Sequence, residues 1–386
     1  MPQPLSKDQL INIRRELHQQ AELSGDEKET ASLISKILSR FEPETLHTEL
    51  GGHGILASFY AEDSGEKKAP SILLRAELDA IPVHEQIDRE YRSRKNGVMH
   101  GCGHDGHMTI LLGLASHIGS RPPKDLNIHI LFQPAEETGE GAEKILNESI
   151  LHELKIDMGY ALHNLPGFEE GTVLLKPGLF AVASTGLEIE LKGRSSHAAE
   201  PEKGINPSSM VESVLNRVGK RVEAYLDESP THKVACTYIR MGERAFGVSP
   251  GNAKIGYTLR SGSDERLEKM VNGLEELMSE LNQATELDIS SRRVEPFRST
   301  INDSQGIRRI RDACTSEKIP ALELEEPFLW SEDFGRFGEK FPVVLFGLGA
   351  GVNWEPLHSG EFDFNENLIE RGVEVFKAII DTYSLK

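Results

Sequence analysis

Asn127-Ile-His-Ile-Leu-Phe132 is a short apolar run that feeds directly into Gln133-Pro-Ala-Glu-Glu137-Thr-Gly-Glu-Gly141. The first part has the length and composition of a buried strand. The second sets two carboxylates side by side beyond the strand's end, followed by glycines that permit tight turns. The same arrangement recurs along the chain. Ser71–Leu74 runs into Arg75-Ala-Glu77-Leu-Asp79-Ala-Ile-Pro82, and Met158–Leu162 into His163-Asn164. Val343–Leu348 precedes a loop carrying Pro356-Leu-His358-Ser359, and Ile55–Tyr60 is a further strand. Helical spacing links these pieces: Leu10, Ile13, Leu17 and Ala21 in a helix over Leu5–Glu22, then Ile34, Ile37, Leu38 and Phe41 in a second. A third helix is expected over Met108–Ser116. A last one, capped by Asn365, places Leu368, Ile369, Val373, Phe376 and Ile380 on one face. Strands alternating with helices specify an α/β domain with a largely parallel sheet flanked by helices. Such sheets bind ligands outside the carboxyl ends of their strands, so polar groups far apart in sequence converge there.

Between the second and third of these strands lies His100-Gly-Cys102-Gly-His104-Asp-Gly-His107. Cys and neutral His are first-choice ligands for Zn, Co, Ni and similar ions. The interleaved glycines let the backbone aim neighbouring side chains at one point. A single His or Cys is more often core packing or plain surface; so many donors in one short stretch are not explained that way. Taken together, Cys102, His104, Glu137, His163 and His358 supply three imidazoles, a thiolate and a carboxylate. That set exceeds one tetrahedral site and suits two neighbouring divalent ions (Zn, Mn, Co or Ni), which hydrolytic centres hold about 3.5–4 Å apart. Water activated by such ions must lose a proton to a carboxylate, and Glu136, adjacent to Glu137, is the natural carrier.

The middle of the chain has another rhythm. Ser184–Lys192, Lys233–Met241 and Ala253–Leu259 alternate as half-buried strands, Pro207–Leu226 and Asp264–Thr285 are helical, and Leu287–Arg292 ends as a strand. This order is that of an α+β ferredoxin-like unit. The expected organisation is a first domain in two parts, 1–180 and 293–386, with 181–292 inserted. A chain of 386 residues is long enough for two cores. With 38% hydrophobic and 27% charged residues, the chain is globular rather than disordered. A net charge of -19, without a basic stripe, argues against nucleic-acid partners. No apolar stretch is long enough to span a bilayer. Three sparse cysteines and no leader pattern fit a reducing cytoplasm better than a disulfide scaffold, so a cytoplasmic protein is expected. Cys236 and Cys314 are expected as packing residues, and Ala61–Lys68 as a solvated loop.

These motifs, in this order, make the chain resemble the di-metal amidohydrolases. That family includes hippurate hydrolases, indoleacetyl-amino-acid hydrolases and bacterial N-acyl-amino-acid deacylases, within a clan of co-catalytic metal exopeptidases and aminoacylases. The resemblance spans nearly the whole chain, from Arg14-Arg-Glu-Leu-His18 to Phe362-Asp-Phe364. It implies an N-acyl amino acid as substrate, Cys102, His104, Glu137, His163 and His358 as metal ligands, and Glu136 as general base and acid. It also implies that the insert is a lid through which such proteins form homodimers or higher oligomers. Gly193-Arg-Ser-Ser-His197-Ala-Ala-Glu-Pro201 matches the family's histidine motif, making His197 a stabiliser of the oxyanion. Arg260 matches an arginine that can hold a substrate carboxylate, though a plain surface charge at a strand end accounts for it equally well.

Several positions depart from the family pattern. Glu77 stands where relatives commonly have Asp, Gly247-Val-Ser-Pro250 where they often have Asn-Val-Ile-Pro, Glu202 in place of a His, and Gly360 in place of a Pro. None removes a proposed ligand; all bear on the substrate pocket. A dipeptidase or other exopeptidase on the same scaffold is the nearest rival. A non-catalytic metal-binding relative is a second, against which the intact Glu136 counts. A nicotinamide zinc dehydrogenase is the weakest, since no Gly-x-Gly-x-x-Gly follows a strand.

Overall fold

The apolar runs become the inner strands of an eight-stranded sheet in a computed structural model that describes residues 2–61, 69–223 and 230–384. One compact unit comprises Met1–Phe180, Thr300–Pro327 and Glu332–Lys386. It opens with α1 (Lys7–Gln19), started by a reciprocal cap between Ser6 and Gln9, and α2 (Lys28–Leu38). Then follow β1 (Thr45–Leu50), β2 (Gly54–Phe59), β3 (Ser71–Glu77), α3 (His104–Ser120) and β4 (Asn127–Gln133). After these come α4 (Gly141–Leu146), α5 (Ser149–Glu153), β5 (Met158–Pro166), β6 (Val173–Leu175) and β7 (Gly178–Ala181). The second unit, Ala181–Ser299 with Phe328–Ser331, holds β8 (Ala183–Lys192), β9 (Ser196–His197), α6 (Ser208–Glu223) and β10 (Lys233–Met241). It continues with β11 (Val248–Ser249), β12 (Asn252–Ser261), α7 (Asp264–Gln283) and β13 (Asp288–Phe297). The chain returns to the first unit through β14 (Thr300–Asn302), α8 (Ser304–Glu317), β15 (Ala321–Glu323), β16 (Val343–Gly351) and α9 (Asn367–Ser384).

The large sheet has the order β1-β2-β4-β3-β5-β16-β6-β15. Its centre is parallel: β3 lies between β4 and β5, and β16 continues from β5. Antiparallel pairs occur at β1/β2, β2/β4 and β16/β6. β3 is buried along its whole length, as a strand covered on both faces must be, which is why Ile72–Leu74 is an unbroken apolar run. α3 is buried on nearly every side, hence the unbroken Met108–Ala115. α1, α8 and α9 add Leu17, Ile310, Val375 and Phe376 to this core.

Several elements differ from the sequence expectation. β3 runs on through Arg75 to Glu77, so Glu77 is the last strand residue rather than a loop residue. β5 likewise continues through His163 and Asn164 to Pro166. α3 begins at His104, inside the donor stretch, because Gly103 at φ 94 makes the turn into the helix there. β1 was not anticipated: it is a sheet edge with mostly exposed or half-buried residues and so lacks an apolar run.

In the second unit the sheet order is β10-β12-β8-β13, antiparallel throughout, the arrangement of a ferredoxin-like βαββαβ unit. Leu187, Ile189, Val214, Val218, Ile255, Leu274 and Leu277 form its core under α6 and α7. β10 is one of the two edge strands and is largely exposed, and that corrects the expectation for Cys236, which is exposed, whereas Cys314 is buried. The expected loop at Ala61–Lys68, beyond Ala61, and the end of the helix expected to reach Leu226 lie outside the described residues. Among the described residues no helix is long and apolar enough to cross a membrane.

Candidate metal centre and active site

β3, β4 and β5 deliver their carboxyl ends to one place in the first unit, and α3 starts there. Gly103 is required at the start of α3: besides its positive φ, a Cβ would lie 2.4 Å from Asn164 Oδ1. Beyond β4 the chain turns through Ala135 at φ 52, closed by Gly139 N–H donating to the Glu136 carbonyl at 2.7 Å. Two overlapping sets of metal-ligating atoms result. In Cys102, His104 and His163, and again in Cys102, Glu137 and His358, the donor atoms all lie within 4.8 Å of one another. Cys102 stands in both. All five residues singled out as ligands from the sequence are therefore gathered in this unit, with Glu136 beside them: its carboxylate and that of Glu137 each lie 3.9 Å from His104 Nε2. His358 Nε2 is 3.7 Å from Glu137 Oε1.

The surroundings prepare these side chains for a cation. His104 Nδ1 donates to the Asp79 carbonyl at 2.8 Å, which leaves the lone pair on Nε2, buried and without a hydrogen-bond partner. Glu137 Oε1 is buried without a hydrogen-bond partner as well. His163 Nδ1 donates to the Asn164 carbonyl at 2.9 Å, turning Nε2 towards Cys102 Sγ at 3.4 Å. Burial, aided by His107, pushes the His163 pKa down to about 3, so the ring is neutral, as a ligand must be. Negative charge is in surplus. Burial, with Glu332 and Glu137 adding repulsion, holds Glu136 well above the carboxylate range. Burial and Asp79 bring Glu137 to about 7 despite His104. Asp333 is raised to about 8 by burial and Glu332, against the pull of Arg75. A divalent cation supplies the positive charge that such a group of carboxylates lacks.

Two further acidic groupings nearby already have partners. His107 is held at both ring nitrogens, by Glu77 Oε2 at 2.7 Å and Asn164 Oδ1 at 2.6 Å. Arg75, fully buried, donates to Gln133 at 3.0 Å, Glu332 at 2.9 Å and Asp333 at 2.7 Å, and also to Glu77. Burial opposes charge on Glu77, but Arg75 and His107 outweigh it and hold its carboxyl well below the usual range. Glu77 thus bridges His107 and Arg75 through its two carboxylate oxygens. Arg75, His107, Asn164, Glu332 and Asp333 were not assigned roles from the sequence. Glu332-Asp333 follows no strand or periodic segment that would have marked it. Gly360 is accounted for by space: a Cβ there would come 2.6 Å from the His84 carbonyl oxygen.

His197 and Arg260 belong to the second unit. His197 is exposed on β9, which pairs with β11 through Val248. Its Nδ1 accepts from Ala199 N–H at 3.0 Å, which places the ring proton on Nε2. Gly247 has open space where a side chain would stand, so its departure from Asn is not forced by packing. Arg260 is half-buried and donates to the Leu329 carbonyl at 2.9 Å and Ser331 Oγ at 3.1 Å. It has no carboxylate partner among the described residues.

Behind the candidate metal ligands, His18 on α1 lies between Asp105 (2.8 Å) and Glu85 (3.3 Å). Burial works against its charge, but the two carboxylates prevail and raise its pKa to about 9. A raised folded-state pKa means stability that is full below the unfolded value of about 6.5 and lost as pH climbs through about 9. The share is on the order of 3 kcal/mol. His18→Gln is therefore expected to lower the melting temperature clearly at pH 6 and hardly at all at pH 10. An offset independent of pH would refute the charged imidazole.

A model of the family described as peptidase family M20/M25/M40 matches residues 73–382. The chain is 31% identical to an N-acetyl-L-cysteine deacetylase of Bacillus subtilis over 94% of this chain and 85% of that protein. It is 28% identical to an N-acetyldiaminopimelate deacetylase of Lactobacillus helveticus, over 97% and 98%. Among solved structures, a Bacillus subtilis protein described as a dinuclear metal binding peptidase superposes with a TM-score of 0.77 at 23% identity, over 98% of this chain and 99% of that one. An aminobenzoyl-glutamate utilization protein from Klebsiella pneumoniae gives 0.71 at 18%, over 96% and 95%. Both of these likenesses are of fold.

Proposed function

The chain belongs to the peptidase family M20/M25/M40, and from that premise we propose that it is a metal-dependent amidohydrolase cleaving the amide bond of N-acyl amino acids. The observation that carries this reading is the pair of donor sets sharing Cys102, with Glu136 directly alongside. Cys102, His104, Glu137, His163 and His358 hold two divalent ions of the Zn, Mn, Co or Ni class. Ions there supply Lewis acidity towards the scissile carbonyl and lower the pKa of water. Glu136 takes the proton of the attacking water and passes it to the leaving amine. Asp79 and Asn164 hold His104 and His163 in the ligating tautomer through their backbone carbonyls. His197 donates from Nε2 to the developing oxyanion, and Arg260 takes the substrate carboxylate; these two roles rest on the motif resemblance. The segment 181–292 acts as lid and as the surface for homodimers or higher oligomers. Three free cysteines suit a cytoplasmic protein.

The two deacetylases similar to this chain are named for N-acetyl amino acids, which supports an acyl-amino-acid substrate over a free peptide. The test is amino-acid release, detected with ninhydrin, from a panel of N-acetyl and N-benzoyl amino acids. N-acetylcysteine and N-acetyldiaminopimelate belong in the panel, before and after chelation and ion add-back. Release that chelation abolishes and a divalent ion restores is the expected result. Bound metal with no release from any acyl substrate would overturn the reading, and cleavage of free dipeptides alone would replace it with an exopeptidase. His197→Ala is expected to lower kcat about 10²–10³-fold at unchanged metal content; an unchanged kcat removes it from the mechanism.

A further inference from the structure

Arg14-Arg-Glu-Leu-His18 takes no part in the chemistry above, yet Arg14 is wholly buried and engages three carboxylates. One nitrogen, Nη1, donates to Asp105 Oδ2 at 3.3 Å and to Asp363 Oδ1 at 2.8 Å; Nη2 donates to Glu366 Oε1 at 2.5 Å. Asp105 directly follows His104. Asp363 and Glu366 end the segment that begins at His358. A single guanidinium on α1 therefore joins the two ligand-bearing segments, which come from distant parts of the chain. Asp363 is further fixed by the Tyr91 hydroxyl at 2.7 Å and by an ion pair with Arg89 at 2.6 Å.

His358 needs such support. Its backbone sits at φ 64, a left-handed conformation unfavourable to a residue with a Cβ, so it persists only where the surroundings impose it. One restraint comes from the other ligand-bearing segment: His358 N–H donates to the Gly101 carbonyl, next to Cys102, at 2.8 Å. Its side chain is 55% exposed, against 1% for His104, so packing does little to hold the ring. Further on, Gln86 N–H donates to the Gly360 carbonyl at 2.7 Å and Trp354 Nε1 to the Asp363 carbonyl at 2.7 Å, and the Arg14 junction is the restraint that ties the segment's carboxylates to Asp105. We infer that Arg14 is a positioning residue for the metal centre: by tying Asp105 to Asp363 it keeps His358 where it completes the Cys102–Glu137–His358 donor set. This rests on the metal-site reading given under Proposed function. A planar fork with separate nitrogens makes these contacts; a lysine ammonium, a single point charge, cannot reproduce them.

The test uses the full-length protein and reads Co²⁺ affinity by chelator competition, with far-UV circular dichroism to verify the fold. Arg14→Lys is expected to weaken the looser of the two bound ions about 10–100-fold. Asp363→Asn cuts one arm of the junction at a quarter-exposed side chain, is expected to act in the same direction, and carries the test should Arg14→Lys not fold. The deciding measurement repeats each change in a His358→Ala background. A residue acting through His358 has nothing left to position there, so the additional loss disappears. An undiminished loss in that background, or wild-type affinity in both folded variants, overturns the inference while leaving the metal reading intact. A wild-type protein that binds no Co²⁺ overturns both.

Discussion

Glu136→Gln is expected to cut turnover about 10²–10⁴-fold while leaving the fold and the bound metal unchanged. The substitution preserves shape and removes only the ability to carry a proton. Glu136 is suited to that task because it is 5% exposed and sits against Glu137, Glu332 and Asp333. Burial first and then these neighbours raise its pKa well above the carboxylate range; compensating cations would favour the ionised form that accepts the proton of an attacking water. The effect should fall on kcat with little change in KM, since the lost interaction belongs to the transition state. Metal content measured on the same sample separates loss of a proton carrier from loss of a ligand. Turnover within a few-fold of wild type would remove Glu136 from the mechanism. Loss of metal together with turnover would make it a ligand instead.

The second large effect is on stability. Arg75→Met is expected to cost about 3–5 kcal/mol, the usual penalty for breaking a buried ion pair from one side. Three buried carboxylates, those of Glu77, Glu332 and Asp333, lose their shared cation, and Gln133 loses a donor to its side-chain oxygen. Asp333 is drawn further into this group by Gln133 Nε2 and by Ala142 N–H at 2.8 Å, so the disturbance should spread to the start of α4. Urea unfolding followed by circular dichroism, with chelator present so that metal release does not confuse the transition, gives the number. Arg75→Lys keeps the charge but not the fork and should recover only part of the loss. An unchanged midpoint in Arg75→Met would mean that the carboxylates are neutral in the folded protein and need no cation.

The candidate ligands could be picked out in the sequence because Cys and His are rare and were packed between glycines, and because a tandem Glu followed a strand, and the structure gathers them in one unit. Residues that prepare those ligands could not. Asp79 reaches His104, Asn164 reaches His107 and Glu332 reaches Arg75 across long stretches of chain, and no spacing rule anticipates a contact between β3 and residue 332. Strand ends were misjudged for a related reason: β3 and β5 continue into Arg75-Ala-Glu77 and His163-Asn164, where charge and polarity break the apolar run although burial does not break. Polarity there marks the site rather than the surface. The edge strands β1 and β10 show the converse, since exposure erased the apolar signal at β1 and left Cys236 in the open on β10.

The order of the strands also has a consequence during synthesis. β16, from Val343 to Gly351, pairs with β5 inside the sheet rather than at its edge. Until it emerges from the ribosome, β5 presents a buried apolar strand with one side unpaired. At roughly 5–20 residues per second, translation from β5 to β16 lasts on the order of ten seconds or more. The second unit is nearly continuous in sequence and can close during that interval, whereas the first cannot. A nascent chain arrested before Val343 is therefore expected to be the species that chaperones engage and that aggregates when they are scarce.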